Sequence, residues 1–250
     1  MGDARPGARQ EGPVGLSGLV NGHLIDIYDR LYTAYGPQRW WPGDSEFEII
    51  AGAILTQSAS WSNVERALAN LKAAGLLSPK GIEALSESEL AELIRPSGYY
   101  NAKARKLKAF VRLLGECARG DLERLLALPA AELRALLLAT HGIGPETADS
   151  ILLYAAGRPV FVIDAYTRRI FSRLGLAPEI DSYASWQRQF SDSLPPDAKI
   201  FNEYHALIVR HGKDACRKRP LCHACPLSAI CPTGSAAGAP NGQSERFVKA

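Results

Sequence analysis

Apolar residues recur every three or four positions along most of this chain, a spacing that predicts helices. Over residues 19–35, Leu24, Ile27, Tyr28, Leu31 and Tyr32 share one face. A break at 37–43 follows. Asp44 or Ser45 can then cap a helix bearing Phe47, Ile50, Ala51, Ile54 and Leu55, which ends near 56–60. Helices are also expected at 61–74, 86–95, 129–140, 182–194 and 196–211, with a long lysine-rich one after the turn at 96–101. One short run, Phe161-Val162-Ile163, is strand-like, and a helix from Asp164 to Leu174 follows it. No segment repeats. The expected fold class is all-α.

Composition narrows this further. The 250 residues suffice for one large or two modest domains, and 46% hydrophobic with 22% charged residues describe an ordinary soluble protein. No stretch reaches the roughly 18 unbroken apolar residues of a membrane helix, and the opening MGDARPGARQEGP has no apolar core of a leader. A soluble cytoplasmic protein, monomeric and without a membrane partner, is the expectation. Residues 1–16 and 233–250, rich in Gly, Pro, Ser and charge, are expected to be disordered tails. The net charge of +3 permits nucleic acid as a partner without requiring it.

Chemistry-bearing residues gather late in the chain. His141-Gly142-Ile143-Gly144 is a tight glycine turn between two helical patterns. Pro145 suits a first helical position, and Glu146 suits the positive end of the helix. Gly142 and Gly144 let backbone amides approach an anion such as a DNA phosphate; an ordinary helical joint has the same look. Lys103, Arg105, Lys106 and Lys108 open the lysine-rich helix after a glycine turn. They read as a solvated face or as phosphate contacts, Lys103 foremost. Cys117 reads as a lone packed thiol.

Cys216, Cys222, Cys225 and Cys231 fall within sixteen residues as C-x5-C-x2-C-x5-C. In a reducing compartment such a knot encloses zinc or a [4Fe–4S] cluster, and the spacing alone does not decide. Arg217, Lys218 and Arg219 crown its first loop and suit phosphate contact.

The glycine hairpin, the Gly157-Arg158-Pro159 break and Asp164 in this order resemble the endonuclease III superfamily of helix-hairpin-helix DNA glycosylases. The resemblance runs from about Trp40 to Cys231. It implies a two-domain helical fold with a DNA cleft: one domain at 45–157 holding the hairpin, the other formed by 17–44 with 158–232. It implies Asp164 as the catalytic carboxylate, though an aspartate there also suits a helix cap. It favours [4Fe–4S] over zinc, although the first cysteine loop is one residue shorter than the family's. Members that also cut the strand carry a lysine where this chain has Glu146. A monofunctional enzyme acting on double-stranded DNA with a damaged base is therefore implied.

Within that superfamily, Trp40-Trp41-Pro42, Phe47-Glu48 and Gly52-Ala53-Ile54-Leu55-Thr56-Gln57 are similar to the 3-methyladenine glycosylases, as is Gly-Ile-Gly-x-Glu-x-Ala-Asp at 142–149. Ala53 stands where the adenine-mismatch branch has glutamate. The base pocket implied is Trp40, Pro42 and Trp61, with Glu146 at its edge; the tryptophans also suit a plain core. Gln57 or Ser58 is expected to fill the gap left by the extruded base. Oxidised-pyrimidine removal, or damage binding without catalysis, are the competing functions.

Overall fold

A computed structural model describes residues 16–238, and among them every regular element is helical. The order is α1 (Leu16–Tyr35), α2 (Glu46–Leu55), α3 (Trp61–Ala73), α4 (Pro79–Ala84), α5 (Glu87–Leu93), α6 (Tyr100–Ala118), α7 (Leu122–Leu126), α8 (Ala130–Ala139) and α9 (Pro145–Ser150). The last runs on through a wider π turn, Ile151–Ala155. Then come α10 (Ala165–Arg173), α11 (Tyr183–Ser191), α12 (Ala198–Asp214) and α13 (Pro232–Gly238). The expected tails lie mostly outside the described residues, but Leu16 already belongs to α1 and α13 occupies the start of the second tail.

Short polar side chains set the helix starts. Ser45, rather than Asp44, caps α2 by accepting the Glu48 amide; Ser78, Asp121, Ser182 and Asp197 do the same for α4, α7, α11 and α12. Ser86 and Glu89 form a reciprocal capping box on α5. Each such cap stabilises by about 1 kcal/mol. α4 and α7 are too short to show a period, which is why the apolar pattern missed them.

The strand-like run at 161–163 is buried but unpaired as a strand. Side chains serve its backbone instead: Gln187 Nε2 donates to Phe161 O at 2.8 Å, and the Ile163 amide donates to Tyr183 Oη at 3.3 Å. Burial, not sheet pairing, accounts for its apolar character. Cys117 is exposed, so the packed thiol expected there is not found.

Two apolar cores divide the molecule. The first runs from Phe47 on α2 to Leu152 on the last turn after α9. The second begins with Leu153 on that same turn and gathers Phe161, Phe171, Phe190, Phe201 and Tyr204, with Leu24, Ile27 and Leu31 of α1. Each such buried side chain contributes about 1.5–3 kcal/mol relative to an exposed one. A polar bridge ties the halves: buried Asp149 of α9 pairs with Arg134 Nε of α8 at 2.6 Å and accepts from Gln187 Nε2 of α11 at 2.8 Å. The same amide holds Phe161 O, and so fixes the extended run that leads into residue 164.

Candidate active site

A cleft of about 650 Å³ lies between the cores and is walled by Trp40, Trp41, Trp61, Glu146, Asp164 and His205 among others. Asp164 is delivered to it by the cap of α10. Its Oδ1 accepts from the Thr167 amide at 2.7 Å and from Thr167 Oγ1 at 2.9 Å. Its Oδ2 faces His205 Nε2 at 3.6 Å, beyond hydrogen-bond length. The two oxygens thus divide: one is spent on the helix, the other points at the cleft wall. Burial pushes this carboxyl up, but His205 and Thr167 outweigh burial and hold it below the ordinary aspartate value. An ionised carboxylate in a buried wall is the outcome.

Glu146 sits at the open rim, in the first turn of α9. Desolvation and the nearby Asp164 charge both push its carboxyl up. His205 comes from the middle of α12, and its Nδ1 lies 2.5 Å from the Tyr154 hydroxyl. Neither His205 nor Tyr154 was singled out from the sequence. Both stand at helical spacing among core residues, and only the fold brings them behind Asp164.

The tryptophans do converge. Trp40 and Trp61 ring centres are 5.1 Å apart at 57°, and Trp41 lies 5.2 Å from each. Gly52 makes room for Trp41: a Cβ there would come within 3.1 Å of the indole. The rings touch one another, so a planar base stacked between Trp40 and Trp61 requires them to part. Pro42 does not line the cleft; it is exposed outside it, and Trp41 takes the inner position expected of it. Lys213 Nζ lies 5.8 Å from the Trp40 ring centre, a cation already over that face.

Beside the cleft, the hairpin joins α8 to α9. Gly142 takes φ +78°, and an added Cβ would meet Lys106 side-chain carbons within 2.7 Å. Gly144 is extended and has open space around it. Ile143 between them is buried and anchors the turn. Gln57 braces this turn: its Nε2 donates to Gly142 O at 3.1 Å and to Thr147 Oγ1 at 2.8 Å, while its Oε1 accepts from Lys106 Nζ. Ser58, exposed at φ +53°, borders both the cleft and the hairpin groove.

Lys103 corrects the sequence expectation. It is 2% exposed, and its Nζ donates to Leu55 O at 2.8 Å and Ser97 O at 2.6 Å. It closes the end of α2 from inside, with its ammonium spent on two carbonyls rather than turned to solvent. Desolvation, with some help from Lys106, lowers its pKa to about 8. A signal existed: Lys103, Leu107, Val111, Leu114 and Ala118 follow the buried stripe of α6.

The four cysteines of the knot ring a narrow apolar cavity under α10 and α12. Arg173 Nη1 stands 3.2 Å from Cys216 Sγ, and His211 Nε2 stands 3.7 Å from Cys225 Sγ. Among the described residues, no three ligand side chains converge on a single ion. Four thiols around an apolar void, with an Arg173 N–H at one sulfur and a His211 ring nitrogen near another, offer the donor set of a metal ion or cluster. Arg217, Lys218 and Arg219 are exposed on the first loop. Arg173 donates to the carbonyls of Arg217 and Lys218, and so shapes that loop.

A buried carboxylate in a cleft between two helical domains, flanked by a glycine hairpin, defines the class of helix-hairpin-helix proteins that act on DNA bases. The chain belongs to the HhH-GPD superfamily of base excision DNA repair proteins, whose profile matches residues 51–196. A Methanocaldococcus jannaschii protein provisionally named a DNA repair glycosylase is 48% identical over 215 residues, 83% of this chain and 95% of its own length. Endonuclease III of Escherichia coli is 26% identical, covering 75% of this chain and 83% of its own. Among solved structures, a Helicobacter pylori 3-methyladenine DNA glycosylase bound to 1,N6-ethenoadenine superposes with a TM-score of 0.66 at 30% identity, over 79% of this chain and 97% of that one. A trapped endonuclease III–DNA intermediate shares the fold at a TM-score of 0.75 and 21% identity, over 87% and 98%. This chain is a base excision repair DNA glycosylase with the all-α two-domain fold of that family.

Proposed function

We propose that this glycosylase is monofunctional and excises alkylated purines of the 3-methyladenine kind by hydrolysis. One observation carries the reading: the rim position beside Asp164 is held by Glu146, not by an amine. Strand cutting through an imine requires a lysine there, and a carboxylate cannot form one. What remains is to stabilise positive charge on the sugar as the base departs. The Asp164 carboxylate, kept ionised in a buried wall, supplies that stabilisation.

Base choice follows from the aromatic wall. A base alkylated on a ring nitrogen is cationic and leaves easily, and an indole face attracts it by roughly 0.5–2 kcal/mol. Trp40 and Trp61 part to take it, and Glu146 adds a negative edge. Ser58 enters the gap left in the duplex, because Gln57 is already committed to the hairpin. Gly142, Gly144 and the Arg217–Lys218–Arg219 loop bind phosphates on either side. Cys216, Cys222, Cys225 and Cys231 hold a [4Fe–4S] cluster whose work is structural, stapling the loop that carries those cations. Lys213 over Trp40 is the observation that favours a neutral base, and with it oxidised pyrimidines as the second reading.

The deciding experiment offers methylated DNA, a thymine-glycol duplex and a uracil duplex side by side. Release of methylated purine alone, with no borohydride-trapped adduct, is expected. Release from the thymine-glycol duplex instead, or a trapped adduct, overturns the reading. The purified protein is expected to be brown, with iron and acid-labile sulfide in equal amounts; a colourless zinc protein refutes the cluster.

A further inference from the structure

His211 is a buried polar side chain that the reading above leaves without a task. It stands in the last turn of α12 and is 1% exposed. Its carbonyl accepts the Cys216 amide at 2.8 Å, so its backbone already holds the first cysteine of the knot. Its ring reaches the third cysteine, with Nε2 3.7 Å from Cys225 Sγ. On the other side of the ring, Nδ1 lies 2.9 Å from the hydroxyl of Tyr35, the last residue of α1. Burial above all pushes that phenol up to about 12, so it keeps its proton at neutral pH.

A cysteine that holds a metal does so as a thiolate. A thiolate accepts hydrogen bonds and donates none, and the cavity inside this knot is apolar. Negative charge in such a place is costly unless donors face it. Cys216 has the Arg173 guanidinium for that purpose, at 3.2 Å. At Cys225 the group in place is the imidazole. Its Nε2 must then carry the hydrogen, because a bare ring lone pair would face a negative sulfur. In the neutral ring this leaves Nδ1 an acceptor, and the Tyr35 hydroxyl has the proton to give it. The three groups thus have one consistent direction, from Tyr35 O–H to Nδ1 and from Nε2–H to Cys225 Sγ.

We propose that His211 is a positioning residue of the cysteine knot: its Nε2–H donates to the Cys225 thiolate, Tyr35 fixes the tautomer that makes this possible, and the pair retains the [4Fe–4S] cluster. The inference rests on the cluster reading above. It gives α1 a purpose beyond its apolar face, since the end of that helix reaches the knot through His211. A knot without this donor leaves the Cys225 charge uncompensated, and that sulfur exchanges its metal for a proton more readily.

The test follows the loss of brown colour when the holoprotein meets a ferrous-iron chelator in the absence of oxygen, for wild type, His211→Leu, His211→Gln and Tyr35→Phe. Colour loss is expected to be about tenfold faster in His211→Leu, the lower end of what an outer-shell partner of a metal ligand contributes. His211→Gln stays close to wild type, since its amide N–H reaches the place of Nε2. Tyr35→Phe falls between them, because the tautomer is no longer fixed. Imidazole ¹⁵N shifts of the wild-type holoprotein, which require no variant to fold, are expected to show the hydrogen on Nε2 of His211. An Nδ1–H tautomer in the brown protein, equal acceleration in the Leu and Gln variants, or a Leu variant as slow as wild type overturns the role of His211 alone. A colourless wild type overturns the cluster reading and the retention with it.

Discussion

Asp164 serves two purposes on two separate oxygens, and this makes its substitution informative. In Asp164→Asn the amide oxygen still accepts from Thr167, so the cap and the fold persist. The charge on the cleft side is lost. Base release is expected to fall by about 10²- to 10⁴-fold, with the thermal midpoint little changed, as single-turnover release and a melting curve will show. The carboxyl is held below its ordinary value in the folded state, so its contribution to stability is present above the unfolded pKa and disappears as pH falls through the folded one. Asp164→Asn therefore lacks that part of the acid limb. Lys103 has the opposite sense. Its folded pKa of about 8 lies below the unfolded value, so the folded protein binds fewer protons between the two. Stability from this group rises with pH from about 8 up to the usual lysine range. Comparing urea midpoints at pH 7 and pH 10, the gap is expected to move in favour of wild type over Lys103→Met as pH rises. That Asp164 caps a helix is legible from its place after the glycine–proline break. Lys103 looks like a surface cation because it follows a glycine turn, but its position on the apolar stripe of α6 buries it.

At the scale of elements, the hairpin tests how much one turn contributes through shape and how much through contact. Its glycines differ. Gly142 is left-handed and stands against the stem of Lys106, whose ammonium holds Gln57. Gly142→Ala is expected to destabilise the fold by about 1–2 kcal/mol, from backbone strain, and to loosen the Gln57 brace as well. Gly144 is extended with open space around it, so Gly144→Ala leaves the melting midpoint alone. Under the proposed phosphate contact, its new methyl group obstructs the approach to the amides, and duplex affinity is expected to fall. Melting curves and binding isotherms on both variants separate the two effects. Equal losses of stability would mean that the second glycine too is conformational. The Gly-x-Gly spacing and Pro145 made this unit legible. The brace was not legible, because Gln57 and Lys106 arrive from α2's end and α6, and no local pattern marks a pair joined only by tertiary structure. The same holds for Tyr154 and His205, which look like core residues along their own helices.

At the scale of the molecule, the apolar pattern foretold an all-helical chain, and the two cores explain why a cleft exists at all. The chain leaves one core and enters the other within a single turn, at Leu152 and Leu153, so the walls between them come from both halves. Residues that face such a seam carry no period of their own, which is why the sequence offers Pro42 for the pocket while Trp41 lines the cleft. In the proposed function, DNA laid across the seam would meet the hairpin on one flank and the cysteine loop on the other. Arg173 links that second flank to the site: it starts from α10, whose cap is Asp164, and its guanidinium holds the backbone of Arg217 and Lys218. The three loop cations project without acidic side chains paired to them among the described ion pairs. Replacing Arg217, Lys218 and Arg219 together with alanine removes charge but no apolar core. Duplex affinity is expected to weaken alike for damaged and undamaged DNA. The slope of log affinity against log salt should flatten by about 0.9 for each phosphate that the loop no longer neutralises. The single-turnover rate at saturating protein should hold, because Asp164 and the cleft are untouched. An unchanged salt slope would show that the loop stands clear of the duplex and that the hairpin alone fixes its register.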